Sequence, residues 1–346
     1  MKSVNKKIIL SGMTLSELEK FAEENNEPKF RAKQLQYWLY KKSASEFEKM
    51  TNLSKDFRAK LNEIAQISDI TIKQKLVSKD ETVKYLLQLP DGNTIETVLM
   101  SFETRSNLTA CVSSQIGCAI GCLFCATGKR GFIRNLKTKE IVDQILTIQR
   151  DTGLKVTNIV YMGQGEPLLN FDNVLKSIEI MNSELEIGMR RITISTSGIV
   201  PQIYKLSEEN RQLNLALSLH APNHELREKI IPVEKKYNLD EIMKALHFLT
   251  KKTGRRVTIE YVLIDNFNDK TEHAEEINIL LKGLKCNINL IPYNPVCNSD
   301  FKAPSLQKIN DFKYILEKSS GRKVTLRIER GSDILAACGQ LTGNLT

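Results

Sequence analysis

A chain of 346 residues with 41% hydrophobic and 26% charged residues can fold as one large globular unit plus a smaller one, which excludes wholesale disorder. Lys and Arg number 50 against 41 Asp and Glu, and the net charge of +9 suits a polyanionic partner better than a neutral metabolite. The short apolar run Ile8 to Leu10 excludes a signal-peptide core and no stretch is long enough to span a bilayer, so a cytoplasmic protein with no membrane role is expected.

In chain order, Thr14 or Ser16 can cap a first helix, and Lys29 to Lys42 forms a second, basic and amphipathic one. Residues 1–68 thus read as a helical accessory module. Between Ile70 and Met100, "KYLLQLP" and "TIETVLM" flank the turn Pro90-Asp91-Gly92, which predicts a β-hairpin linker over residues 69–102. From Leu108 onward strands and helices alternate. The strands are expected at Thr109–Ser113, Val156–Met162, Arg191–Thr196, Asn214–His220, Val257–Ile264, Asn287–Tyr293 and Lys323–Ile328. The helices fall near Lys139–Asp151, Asn173–Ser183, Val200–Glu208, Leu239–Lys252, Lys270–Leu284 and Ser305–Ser319. This alternation predicts an α/β core, residues 103–333, whose parallel sheet fits an incomplete (β/α)6 barrel better than a flat doubly wound sheet. Its chemistry then lies at the C-terminal strand ends. Residues 334–346 form a tail.

The cysteines are the strongest chemical signal. Seven of them, Cys111, Cys118, Cys122, Cys125, Cys286, Cys297 and Cys338, are odd in number and unevenly spaced, which speaks against a secreted disulfide framework. In "CAIGCLFC", Cys118, Cys122 and Cys125 supply three thiolates just after the first core strand. Three thiolates leave one iron of a 4Fe-4S cluster open for chemistry. Gly121 eases the wrap of the loop and Phe124 would shield the cluster. The alternative is a zinc site completed by a His or a fourth Cys; the nearest histidine is His220. Cys286 and Cys297 carry no argued role.

The spacing after a first strand resembles the radical S-adenosylmethionine (SAM) superfamily. Gly163-Gln-Gly165-Glu166-Pro167 looks like that superfamily's "GGE" type motif, in which backbone and carboxylate contact the SAM amino group. Ser195, then Ser218-Leu219-His220, then Asn294 end successive strands, where they would line the cofactor. Each has a plainer alternative: a turn with a solvated carboxylate, a helix cap, a hydrogen-bonded core histidine. Cys111 could equally be a buried strand residue and Cys338 incidental.

Taken together, "CVSSQIGCAIGCLFCATG", "MGQGEPLLN", "ISTSGIVP", "LSLHAPN", "INLIPYNP" and "AACGQL" are similar to the RlmN/Cfr family of radical SAM RNA methyltransferases. The resemblance implies a 4Fe-4S cluster, two SAM per turnover, 23S rRNA and tRNA as substrates, an electron donor such as flavodoxin with its reductase, and a monomer. It makes Cys338 the methyl carrier, Cys111 the cysteine that resolves a transient protein–RNA crosslink through a disulfide, and Glu96 the base that takes the proton from the adenine carbon. Residues 1–68 become RNA-contacting. Lys129, Arg130 and Arg134 after the cluster motif, and Arg31, Lys33 and Trp38 in the helical module, are candidate RNA contacts, with solvated basic helix faces as the alternative. Within the family, "GEPLLN" resembles the adenine carbon-2 branch, carbon 8 being the other product. Gln164 stands where methionine is usual. A zinc-stabilised RNA-binding protein without catalysis is the rival from another class.

Overall fold

The computed structural model describes residues 7–102, 104–209, 211–327 and 329–344, except the side chains of residues 102, 104–106, 319 and 320. Ile328, the last residue of the expected seventh strand, lies outside them.

The helical module comprises β1 (Ile8–Ile9), α1 (Leu15–Glu24), α2 (Phe30–Gln36), α3 (Lys55–Ile64) and β2 (Ala65–Gln66), with β1 and β2 paired in parallel. Of the two candidate caps for α1, Thr14 is the one used. Its hydroxyl accepts from the Glu17 N–H while Glu17 reaches back to the Thr14 N–H at 2.8 Å, satisfying two otherwise orphaned donors. The expected second helix divides at Tyr37, where the backbone passes from α2 into a π-turn over Tyr37–Lys41.

Strands β3 (Thr71–Val77), β4 (Val83–Gln88) and β5 (Thr94–Phe102) form an antiparallel meander, with the Pro90–Gly92 turn between β4 and β5 as expected. The meander continues directly into the main sheet, because β5 pairs antiparallel with β6 (Thr104–Cys111). A small hairpin of β7 (Gln115–Gly117) and β8 (Phe132–Asn135) follows, with α4 (Ala126–Arg130) between its strands. Then come α5 (Thr138–Thr152), β9 (Asn158–Tyr161), α6 (Phe171–Ser183), β10 (Ile192–Thr196), α7 (Val200–Glu208), β11 (Asn214–Ser218), α8 (His224–Ile230) and α9 (Leu239–Thr253). The core ends with β12 (Val257–Leu263), α10 (Thr271–Leu280), β13 (Cys286–Pro292), α11 (Leu306–Ser320) and β14 (Val324–Leu326).

Ten strands make one sheet in the order β14-β13-β12-β11-β10-β9-β6-β5-β4-β3, and every pairing from β6 to β14 is parallel. The sheet stays open between β14 and β3, which makes it a partial barrel lengthened by the antiparallel meander. Parallel strands covered by helices read as nearly continuous apolar runs, and Ile192, Ile194, Leu215, Leu217, Ile259 and Ile288 are all buried. Strand β11 stops two residues earlier than expected because His220 adopts φ +54°, a conformation no strand tolerates. Among the described residues no helix is long and apolar enough to cross a membrane.

Candidate active site

The cluster motif occupies the loop between β7 and α4. Its backbone is tied at both flanks and in the middle: Cys118 N–H donates to Gly131 O at 3.0 Å, Leu123 N–H to Ile230 O at 3.1 Å and Ala126 N–H to Gly339 O at 2.8 Å. Gly121 takes φ +72°, which turns the loop back so that Cys118, Cys122 and Cys125 face one cavity. The same cavity is lined by Gly165, Glu166, Ser195, Ser218, His220, Asn294 and Cys338. Ten of the residues singled out from sequence therefore converge on one site at the C-terminal ends of the parallel strands, where that fold places its chemistry.

Three thiols on one wall suit a four-iron cluster, in which each protein thiolate binds a different iron. Burial pushes the Cys118 thiol up to about 12 and holds Cys122 well above its ordinary value. These groups ionise readily only when a cationic centre is bound beside them, which is what the cluster's irons provide. Among the described residues, no three His, Cys, Asp or Glu side chains converge tightly enough to hold a single metal ion. Glu260, on the same cavity wall, is buried, and its Oε2 faces the Arg327 guanidinium at 3.5 Å.

The plainer reading holds for His220, a hydrogen-bonded core histidine, but not for the other two: the Glu166 carboxylate is buried rather than solvated, and Ser195 caps no helix, its hydroxyl lying 3.4 Å from that of Ser218. Glu166 caps the short helical turn Pro167–Asn170 by accepting from Leu168 N–H at 3.1 Å, and its other oxygen accepts from Ser197 N–H at 2.8 Å and Ser197 Oγ at 2.9 Å. Burial raises its pKa while these bonds oppose the shift. Gly165 has φ +98°, and a Cβ there would stand 2.5 Å from the Gln115 side chain, so only glycine lets the backbone approach the cavity. His220 Nδ1 accepts the Val262 N–H at 3.0 Å, which puts the ring proton on Nε2, and the ring meets Phe124 edge to face at 5.0 Å.

Burial, aided by the Arg227 charge, lowers the His220 pKa to about 3. In the unfolded chain the imidazole titrates near its ordinary value, so the unfolded state binds the extra proton first, and stability falls as pH drops below that value toward 3. His220→Gln is expected to remove about 2 kcal/mol of the destabilisation seen between about pH 7 and pH 5. Urea unfolding of both proteins across that range checks this, and parallel pH profiles would contradict it.

A second cavity adjoins the first. Cys338, Asn294, Met162 and Arg327 line both, while Cys111, Val98 and Leu341 line only the second. Cys338 is exposed to this shared space, and Asn294 Nδ2 holds its carbonyl at 3.0 Å. Cys111 is buried and its thiol is pushed up to about 12, first by burial and then by the neighbouring Cys338; the Arg327 charge opposes this. Arg327 lies 3.5 Å from Glu260 and donates to Met162 Sδ at 3.7 Å. Neither Arg327 nor Glu260 was a candidate from sequence. The available signals were a charge just past an apolar strand, Arg327 in "VTLRIER", and a charge inside one, Glu260 in "VTIEYVL".

Two candidates lie off the cavity walls. Leu219 is fully buried, and its carbonyl accepts from Arg227 Nε at 3.0 Å. Glu96 is 1% exposed, paired with the buried Lys84 at 3.0 Å and covered by the tail, whose Gly343 N–H donates to it at 2.6 Å. Gln164 joins the same assembly, accepting the Glu96 N–H through its side-chain oxygen at 3.2 Å. The basic segment after the cluster motif is largely engaged internally. Arg130 donates to Thr342 O and Thr94 O, Arg134 pairs with Asp91 and Glu140, and Lys129 donates to Asn298 O. In the helical module, Arg31 pairs with Glu27 and Trp38 Nε1 donates to Asn52, while Lys33 is exposed.

An open parallel barrel with three thiols, a Gly-Glu-Pro turn and polar strand ends around one cavity defines a radical SAM enzyme, and residues 112–277 match the model of the radical SAM superfamily. Residues 8–67 match the N-terminal domain of ribosomal RNA large subunit methyltransferases. Over 96% of its length the chain is 50% identical to a probable dual-specificity RNA methyltransferase RlmN of Caldanaerobacter subterraneus subsp. tengcongensis, covering 97% of that protein. A relative with the same description from Dictyoglomus thermophilum is 52% identical over 91% of each chain. Among solved structures, a radical SAM methyltransferase from Sphaerobacter thermophilus superposes with a TM-score of 0.93 at 43% identity, covering 97% of this chain and all of that one. The chain belongs to the RlmN family of RNA methyltransferases. It is a SAM-dependent enzyme that works with a 4Fe-4S cluster.

Proposed function

We propose that the protein methylates carbon 2 of a specific adenosine in the peptidyl-transferase centre of 23S rRNA and of adenosine 37 in tRNAs, with Cys338 as the methyl carrier. The observation that carries this reading is the position of Cys338 on the wall common to the cofactor cavity and the second cavity, with Cys111 lining the second. The first cavity suits the cofactors and the second suits an extruded base.

The bound cluster and SAM supply a methyl group and a carbon-centred radical. The remaining roles fall to the chain. The Cys338 sulfur takes the methyl group and presents its carbon, after loss of a hydrogen atom, to the base in the second cavity. Carbon 2 of adenine is electron-poor and is reached by a carbon radical rather than by polar displacement. Glu96 is the residue assigned to remove the ring proton, and for this the tail over it must shift, because Gly343 and Lys84 hold both carboxylate oxygens. The adduct also gives up one electron, accepted by the oxidised cluster. Cys111 then attacks the Cys338 sulfur as a thiolate, which Arg327 favours. The sulfur–sulfur bond forms as the carbon–sulfur bond breaks, and the electron pair left on the methylene carbon takes up a proton to give the methyl group on the released base. A flavodoxin-type reductant and a monomeric enzyme complete the proposal.

Nucleoside mass spectrometry of rRNA and tRNA from cells lacking the gene and from complemented cells tests the regiochemistry. A 2-methyladenosine that appears only on complementation is expected. An 8-methyladenosine would transfer the enzyme to the other branch of the family.

A further inference from the structure

The largest buried side chain in the core is charged. Arg227, on α8, has no exposed surface, and a guanidinium in that position is tolerated only if its donors are satisfied. Nε donates to Leu219 O at 3.0 Å, and Nη2 donates to Ser197 O at 2.5 Å and Ser218 O at 3.1 Å. Nη1 pairs with the equally buried Glu234. Glu234 is fixed in turn by the Leu239 N–H at 2.7 Å and by His224 Nδ1 at 2.9 Å.

The three carbonyls belong to the last residue of β11, Ser218, and to the residues that directly follow β10 and β11, Ser197 and Leu219. The side chains of the same segments, Ser197, Ser218 and His220, face the cofactor cavity. Ser197 also carries the two donors that hold Glu166. The last residue of α8, Ile230, accepts the Leu123 N–H from inside the cluster loop. One short helix therefore touches the cluster loop, two strand ends and, through Ser197, the Gly-Glu-Pro turn.

We propose that Arg227, held by Glu234, is a positioning residue that sets the cofactor-lining strand ends against the cluster loop, so that SAM meets both in register. The pair does not line the cavity; it acts through the carbonyls of Ser197, Ser218 and Leu219. A buried ion pair adds little net stability compared with a well-packed apolar pair, so replacing both members separates a role in the site from one in the fold.

The test uses anaerobically purified holoenzyme of the parent, of the double variant Arg227→Met/Glu234→Leu and of Arg227→Lys, which keeps the charge but not the forked donation. With iron content and circular dichroism matched to the parent, both variants are expected to bind SAM about tenfold more weakly, the loss of one charge-assisted hydrogen bond's worth of alignment. The change that SAM induces in the electron paramagnetic resonance spectrum of the reduced cluster should shrink with it. Parental affinity and an unchanged spectral response in either variant would overturn the proposal. Loss of folding in both would also overturn it, since the pair would then serve the fold as a whole.

Discussion

Cys338→Ala is expected to abolish methyl transfer to RNA while leaving the fold, the iron content and SAM binding intact. The side chain is exposed and lines both cavities, so its removal should change stability by less than about 0.5 kcal/mol. The tail is held by other groups. Thr127 Oγ1 donates to Leu341 O at 2.6 Å, Arg130 to Thr342 O at 3.0 Å, Asn294 to the Cys338 backbone carbonyl and Gln340 to Pro295 O at 2.9 Å. None of these uses the Cys338 sulfur. Assays with SAM labelled in its methyl group, run beside iron analysis, separate the two effects. Residual transfer well above background would show that the methyl reaches RNA by another route.

Cys111→Ala should leave the enzyme covalently bound to its RNA. Cys111 sits in a small buried cluster with Val98 and Leu341, next to Cys338, and has no part in the cluster loop. If its role is to attack the Cys338 sulfur, its loss stops the reaction after the new carbon–carbon bond has formed, and the crosslink persists. Trimming one sulfur from that cluster costs about 1 kcal/mol, too little to unfold the domain. Denaturing electrophoresis before and after nuclease treatment reads the outcome. An adduct that nuclease collapses is expected; protein free of RNA would remove Cys111 from the resolving step.

Much of this site was legible in the sequence because its residues fall at strand ends. Apolar β-rich runs marked β9 to β14 closely, and the polar residues just past them, Glu166, Ser218, His220 and Asn294, were identified by that position. Three unforeseen features depend on long-range packing, which has no local signature. The pair Arg227–Glu234 hides in a segment, "HELREKI" onward, whose alternating charges read as a solvated surface helix. Arg327 and Glu260 meet only when β12 and β14 are brought round the barrel. Glu96 is covered by a tail that returns from the far end of the chain, a contact with no local signal in the sequence. In the basic run after the cluster motif, Arg130 and Arg134 likewise meet partners far away in sequence, at Thr342 and Asp91.

Whether Cys338 carries the methyl group can be read from the protein itself by peptide mass spectrometry. Holoenzyme reconstituted with its cluster and incubated with SAM, without RNA, should yield a C-terminal peptide carrying one additional methyl group, placed by fragmentation on Cys338. A tail peptide without the methyl group, or a methyl found on Cys111 instead, would contradict the account.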